Sequence, residues 1–144
     1  MTDLELITGA DQLVERFGCW PSFHDAEVIL LTLHRHGDNG PIAEMVVHTW
    51  LMTDKVDERG YYLLEKHTLV RFVFEGLTTN ELSGFNRQNV LFGLELAPET
   101  VEGKQAFRIT IDPSYGLGGT LICGRLLVAE VTPCDERGHT ASEG

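Results

Sequence analysis

Residues 20–28 of this sequence, Trp-Pro-Ser-Phe-His-Asp-Ala-Glu-Val, place more chemically versatile side chains together than any other stretch. His24, Asp25 and Glu27 are residue types that bind divalent metal ions or transfer protons. Their spacing lacks the second histidine of the H-E-x-x-H metal-binding helix. On a strand, Asp25 and Glu27 point to the same side and His24 to the other. Catalysis by this stretch is therefore one hypothesis among three.

The same stretch fits two roles without catalysis. In a structural role, Asp25 accepts backbone N–H bonds in a turn, while Trp20 and Phe23 close the end of a sheet. In a binding role, the aromatic rings and the acids contact a ligand or a partner protein. All three hypotheses stay open at this point, and the structural role is the simplest.

A second group of polar side chains lies further along the chain. His34 and His36 point to the same side of a strand, a spacing that holds zinc if Glu44 or His48 supplies a third ligand. The pair adjoins a turn, where polar residues are common. A solvated strand end, with His34 paired to Glu44 across a hairpin, is therefore the simpler interpretation. We predict no metal ion and no other cofactor.

One short helix and a series of strands must position these residues. Thr8 as the N-cap and Gly18 as the terminating residue predict a helix, which Pro21 prevents from continuing. Runs rich in Val, Ile, Leu and Phe, separated by Gly- and Pro-rich turns, predict the strands. They cover residues 27–36, 42–53, 64–74, 88–96, 105–111 and 120–131. Their short connections predict a mostly β (α+β) fold, a twisted antiparallel sheet of about six strands with one short N-terminal helix.

The period of two in a strand assigns side chains to faces. Each of the following sets is predicted to share a face: Val70, Phe72 and Phe74; Val90, Phe92, Leu94 and Leu96; Phe107, Ile109 and Ile111.

The first hairpin is predicted in more detail. A five-residue loop at 37–41 pairs Leu31 with Val47 and puts Ile29 on the same apolar face. The opposite face is mixed, since it carries Val28, three histidines and Trp50. This mixed face is either a binding surface or a surface partly covered by the N-terminal helix.

Composition limits the class of protein. The chain has 144 residues, 42% of them apolar, and 22 acidic against 11 basic residues, for a net charge of −11. Such a balance argues against nucleic-acid binding and favours attraction of a basic partner. The length suits one domain, predicted over residues 1–133, followed by a disordered polar tail at 134–144.

Cysteine usage and the N-terminus predict the compartment. Cys19, Cys123 and Cys134 are odd in number and form no C-x-x-C pair, which favours reduced thiols. Cys123 lies in an apolar run, so we expect it to be a buried small hydrophobic residue. The first residues lack a secretory signal, and no apolar run approaches the length of a membrane helix. The prediction is a cytoplasmic protein without membrane contact.

Residues 20–28, placed after a short helix, resemble the immunity protein 50 family of bacterial polymorphic toxin systems. The later Asp112-Pro-Ser-Tyr-Gly, leading into the strand with Cys123, resembles it too. The resemblance covers roughly residues 4–133. It implies a mostly β intracellular protein that is not an enzyme and that neutralises a cognate toxin, such as a basic nuclease, by occlusion.

The family supplies no contact residues to carry over, so candidates come from the two polar groups described above. They are Trp20, Phe23, His24, Asp25, Glu27, His34, Glu44, His48 and Trp50. Two alternatives stay open: a small metal-dependent or acid–base enzyme using His24, Asp25 and Glu27, and a general ligand- or protein-binding β module. Unpaired sheet edges would also allow two copies to form a homodimer.

Overall fold

The computed structural model of this protein describes residues 3–140. A 3₁₀ helix, Asp3–Leu6, precedes the helix α1, Asp11–Phe17, and eight strands follow. They are β1 Glu27–His34, β2 Ile42–Val56, β3 Tyr62–Glu75, β4 Thr79–Ser83, β5 Val90–Val101, β6 Lys104–Tyr115, β7 Gly118–Cys123 and β8 Arg125–Pro133. All eight form one antiparallel sheet in the order β4-β7-β6-β5-β1-β2-β3-β8. The predicted mostly β class is confirmed, with eight strands rather than six. No helix within residues 3–140 has the length and apolar character needed to cross a membrane.

The strand count differs from the prediction at two places. The single strand predicted over 120–131 is divided at Gly124, whose N–H donates to the carbonyl oxygens of Glu75 and Gly76 at 2.9 and 3.1 Å. The short strand β4 was missed because its sequence, Thr-Asn-Glu-Leu-Ser, has no apolar alternation. It forms a strand only because it pairs with β7.

Among the described residues, the two four-stranded halves of the sheet share strand pairing only where β1 meets β5. Glu27 pairs with Val90 there. Leu91 N–H donates to the carbonyl oxygen of Ala26 at 2.8 Å, and Val28 N–H donates to that of Asn89 at 2.9 Å. Beyond this seam the strands continue in separate ladders, so each half is free to turn its inner face toward the other.

Both halves bury their inner side chains in one hydrophobic cluster. Phe72 comes from one half and Ile109 from the other, and α1 adds Leu13 and Phe17. The predicted faces of β3 and β6 are confirmed, because Val70, Phe72, Phe74, Phe107, Ile109 and Ile111 are all buried.

The predicted face of β5 is wrong at its start. Two register shifts flank Leu91, so the alternation changes there. Leu91 is consequently 1% exposed and Phe92 is 58% exposed. Leu94 and Leu96 keep their contact with the core.

The register predicted for the first hairpin is also wrong, and β1 contains a bulge. Leu31 pairs with Met45 rather than Val47, because β1 ends at His34 and the loop is longer than predicted. The register shifts between Val28 and Leu30, which moves Val28 into the core and leaves Ile29 45% exposed. Periodicity alone cannot locate such an inserted residue.

The N-terminal helix ends as predicted but begins differently. Gly18 adopts a φ of 83°, and its N–H donates to the carbonyl oxygen of Val14. The N-cap is Ala10 rather than Thr8. Thr8 instead bridges to β8, donating to the carbonyl oxygen of Leu126 and accepting from Val128 N–H. The helix packs on the core through Leu13 and Phe17.

The predicted disordered tail holds a hydrogen-bonded turn at residues 134–140. Cys134 N–H donates to the carbonyl oxygen of His67 at 3.0 Å. The Asp135 carboxylate accepts the N–H groups of Arg137 and His139, each at 2.9 Å. Such a side chain mimics a backbone turn, which composition alone did not reveal. Residues 141–144 of the predicted tail lie outside the described residues.

Candidate functional site

Trp50 connects the two groups of predicted contact residues. Together with Trp20, Phe23 and His24 it lines a cleft of about 410 Å³ between the α1–β1 segment and β2. Its indole also contacts the ring of His48, with centroids 5.3 Å apart and an interplanar angle of 81°. Clefts of about 470 and 590 Å³ elsewhere are lined by none of the predicted residues.

Phe23 has a structural role. It is 2% exposed, and its ring makes edge contacts with Trp20 and Phe72 at centroid distances of 5.8 and 5.7 Å. Phe23 and Asp25 have φ angles of 62° and 68°. Both angles lie in the left-handed region, so the chain turns sharply here. The burial of its side chain favours the structural role for Phe23, and its role as a contact residue stays a prediction.

His24 and Asp25 form an exposed pair beside the cleft. The Nδ1 atom of His24 lies 3.3 Å from Oδ2 of Asp25, and the imidazole makes an edge contact with Phe92 at 5.3 Å. Asp25 fixes the turn through its backbone N–H, which donates to the carbonyl oxygen of Leu91 at 2.8 Å. Glu27 lies on β1, opposite His48. Within residues 3–140, no three His, Cys, Asp or Glu side chains are grouped in a way that could hold a metal ion.

His48 and His67 form a hydrogen-bonded pair under the C-terminal turn. The Nε2 atom of His48 lies 3.0 Å from Nδ1 of His67, and His48 is 6% exposed. Burial and the neighbouring His67 lower the pKa of His48, while the Asp135 carboxylate acts in the opposite direction. Sequence reasoning missed His67; only the β2–β3 register, which puts residues 66 and 67 opposite Trp50, would have indicated it.

Glu44 and His34 do not pair with each other. Glu44 binds the guanidinium of Arg71 through both carboxylate oxygens, at 2.9 and 2.8 Å. Thr32 is the residue opposite Glu44 on β1, and the exposed His34 lies opposite Ile42. The predicted His34–Glu44 pair is wrong because the hairpin register is shifted by two residues.

The thiol of Cys123 is a core group. It is 1% exposed, and burial raises its pKa to about 12. The predicted role of Cys123 as a small hydrophobic residue is confirmed.

Six large exposed apolar residues lie close together on a segment that was not predicted as a contact surface. We define the arm as residues 51–65, the outer part of the β2–β3 hairpin. β1 pairs with β2 only as far as His48, and β8 pairs with β3 only from Thr68 onward. Within the part of the chain that the structure describes, the arm therefore continues as a two-stranded ribbon without neighbouring strands. Its large exposed residues are Met52, Val56, Tyr61, Tyr62, Leu63 and Leu64.

The tip of the arm is a turn held by hydrogen bonds. Asp57 N–H donates to the carbonyl oxygen of Tyr61 at 2.8 Å. The Asp57 carboxylate accepts the N–H groups of Arg59 and Tyr61 at 2.9 and 3.0 Å. The Arg59 guanidinium lies 5.6 Å from the centre of the Tyr61 ring. One sequence signal would have found this surface: residues 61–64, Tyr-Tyr-Leu-Leu, are apolar on both faces of a strand.

No family model, no curated protein and no solved structure matches this chain. The resemblance to the immunity protein 50 family stays a prediction.

Proposed function

We propose that this protein binds another protein through the arm, and that the partner is a bacterial toxin domain which it neutralises by occlusion. The observation that carries the proposal is the arm itself, a ribbon with large apolar side chains exposed on both faces. A contiguous exposed apolar patch usually marks an interaction surface. An isolated two-stranded hairpin is also only marginally stable in water, so a bound partner would stabilise it.

The side chains of the arm suit the centre of a protein interface. Tyr61 and Tyr62 are 66% and 59% exposed, and Met52 is 55% exposed. Tyrosine and methionine are enriched in such interfaces, where a few aromatic anchors supply most of the binding energy. The tip turn and the hydrogen bond from Thr53 Oγ1 to the carbonyl oxygen of Leu63, 2.9 Å, hold these anchors in place before binding.

Charge favours a basic partner. The arm carries four acidic residues against Lys55 and Arg59, and the whole chain has a net charge of −11. A negative surface around an apolar centre accelerates association with a positively charged protein and sets its orientation. Nuclease-type toxins that bind a nucleic-acid backbone present a positively charged surface.

The cleft at the root of the arm extends the surface toward the predicted residues. Trp50 lies half-buried at this root, and Met52 follows it along β2. Trp20 and the exposed His24 border the same cleft. A toxin that binds the arm would also contact this cleft. The rest of the sheet would then block access to the active site of the toxin.

The toxin assignment rests on the resemblance of residues 20–28 to the immunity family, whereas protein binding rests on the arm. A general protein-binding module would use the same arm with a different partner. The identity of the partner therefore separates these two functions.

Co-purification tests the proposal. The tagged protein is co-expressed with the C-terminal domain of the neighbouring gene product, carrying an inactivating substitution, and is then isolated. We expect a one-to-one complex with the wild type, and its loss with Tyr61→Ser/Tyr62→Ser. The matched control is Phe85→Ser, since Phe85 is 51% exposed but lies outside the arm. Absence of a complex with the wild type would overturn the toxin assignment, and equal complex formation by both variants would overturn the role of the arm.

A further inference from the structure

The edge of β1 that faces away from β2 is open and apolar. On this side β1 pairs with β5 only at Glu27, and the Val28 N–H reaches Asn89. From residue 29 to 34, no described residue continues the ladder on that side. Ile29, Leu30 and Leu33 are 45%, 41% and 52% exposed, and no charged residue lies between Glu27 and Arg35. Such an edge offers unpaired N–H and C=O groups to another strand.

Three other edges of the sheet carry features that prevent pairing. β4 is five residues long and includes Glu81. β8 is bridged at Leu127 by Thr8. β5 carries Pro98, which lacks an N–H group. Charges, short length, cover, proline and bulges are the usual protections of an edge strand. The only one of them along residues 29–34 of β1 is the bulge at Ile29, at the start, and residues 30–34 have none.

We propose that two copies of this chain pair through this β1 edge, antiparallel, about a two-fold axis that crosses the middle of the strand. The resulting sheet would run continuously from one copy to the other. This interface is separate from the arm and does not depend on the proposed function.

Charge complementarity selects a second copy as the occupant. β1 begins beside acidic residues, Asp25 and Glu27, and is followed by Arg35 between two histidines. In an antiparallel pair about a two-fold axis, the acidic start of each strand meets the basic end of the other. A symmetric interface requires this self-complementarity. The long-range repulsion between two chains of net charge −11 is screened beyond about 8 Å at physiological ionic strength.

The test is the mass of the purified full chain in solution, measured by light scattering or sedimentation up to about 200 μM. At physiological salt we expect a species of twice the 16.1 kDa chain mass. Leu33→Lys should give the mass of a single chain, because it places a charge within the apolar paired edge. Leu33 is 52% exposed, so this variant should fold normally, which circular dichroism checks.

Charge exchange tests the orientation of the two strands. Glu27→Lys and Arg35→Glu should each weaken association by about tenfold or more, since like charges then meet at both ends. The double variant should restore it. Tyr61→Ser/Tyr62→Ser, which alters the arm alone, should keep the doubled mass, so failure of the arm hypothesis and failure of this one are distinguishable. A single-chain mass at every concentration, or a doubled mass that persists in Leu33→Lys, would overturn the proposal.

Discussion

His48 and His67 face each other across 3.0 Å through Nε2 and Nδ1, with the Trp50 indole against both rings. One imidazole donates the proton of this bond and the other accepts it. The pair is therefore intact only while at least one ring is neutral. The pair lies where the arm leaves the sheet and where the C-terminal turn meets β3.

The first prediction is a loss of stability on acidification. Burial and His67 hold the pKa of His48 below its ordinary value of 6.5. The unfolded chain then takes up the proton before the folded chain does. The stability contributed by neutral His48 is complete above pH 6.5 and declines as the pH falls through 6.5 toward the folded pKa.

Urea unfolding at several pH values measures this decline as a shift of the midpoint. His48→Gln should show a smaller shift between about pH 7 and pH 5.5 than the wild type. The exposed His34→Gln should behave as the wild type. An unchanged pH dependence in His48→Gln would contradict the role given to this pair.

The second prediction concerns Phe23 and its neighbour. Phe23→Ala removes a ring that contacts Trp20 and Phe72, and should destabilise the fold by about 3–5 kcal/mol. His24→Ala, one residue away but on the surface, should change stability by about 0.5 kcal/mol or less. Denaturant titration compares the two. Equal midpoints for both variants would show that Phe23 is not part of the core.

The third prediction concerns a glycine that lets β4 reach β7. Gly119 has a φ of 140°, and a methyl group added there would overlap the carbonyl oxygen of Glu81. Gly119→Ala should cost about 2 kcal/mol or more, through strain and loss of β4 pairing. Gly93→Ala serves as the control, because no atom lies within 4 Å of the added methyl group. Thermal unfolding should show a lower midpoint for the first variant only, and the reverse order would refute the close approach.

The fourth prediction concerns Asn89, a buried residue at the seam between the two halves whose side chain makes several hydrogen bonds. Its Oδ1 accepts the N–H groups of Asn86 and Leu117, each at 3.0 Å, and its Nδ2 donates to the Asn86 carbonyl oxygen at 2.7 Å. Asn89→Ala leaves the N–H of the buried Leu117 without this acceptor, at a cost of about 1–3 kcal/mol. The exposed Asn80→Ala should cost less, and hydrogen exchange at Leu117 should accelerate only in Asn89→Ala. Unchanged hydrogen exchange at Leu117 in Asn89→Ala would contradict this role of the Asn89 side chain.

Strand identity and the inner faces of β3 and β6 could be predicted because a buried strand alternates with period two. The alternation fails where one residue is inserted, at Ile29 and beside Leu91, and local sequence does not mark these bulges. The division at Gly124 depends on hydrogen bonds to Glu75 and Gly76, which are distant in sequence.

The candidate site could be predicted only in part. Trp20, His24 and Trp50 do converge on one cleft, although they come from different segments. His67 and the arm were missed because both depend on how far β1 and β8 accompany the β2–β3 hairpin. How far a strand extends beyond its neighbour depends on the whole sheet, and the local sequence does not show it.

Growth protection tests the central claim most directly. The C-terminal domain of the neighbouring gene product, in its active form, is expressed in a sensitive host together with this protein or its variants at matched protein levels. We predict rescue by the wild type and by Phe85→Ser, and loss of rescue with Tyr61→Ser/Tyr62→Ser. Undiminished growth inhibition in the presence of the wild type, or full rescue by the arm variant, would contradict a toxin-neutralising protein that acts through its arm.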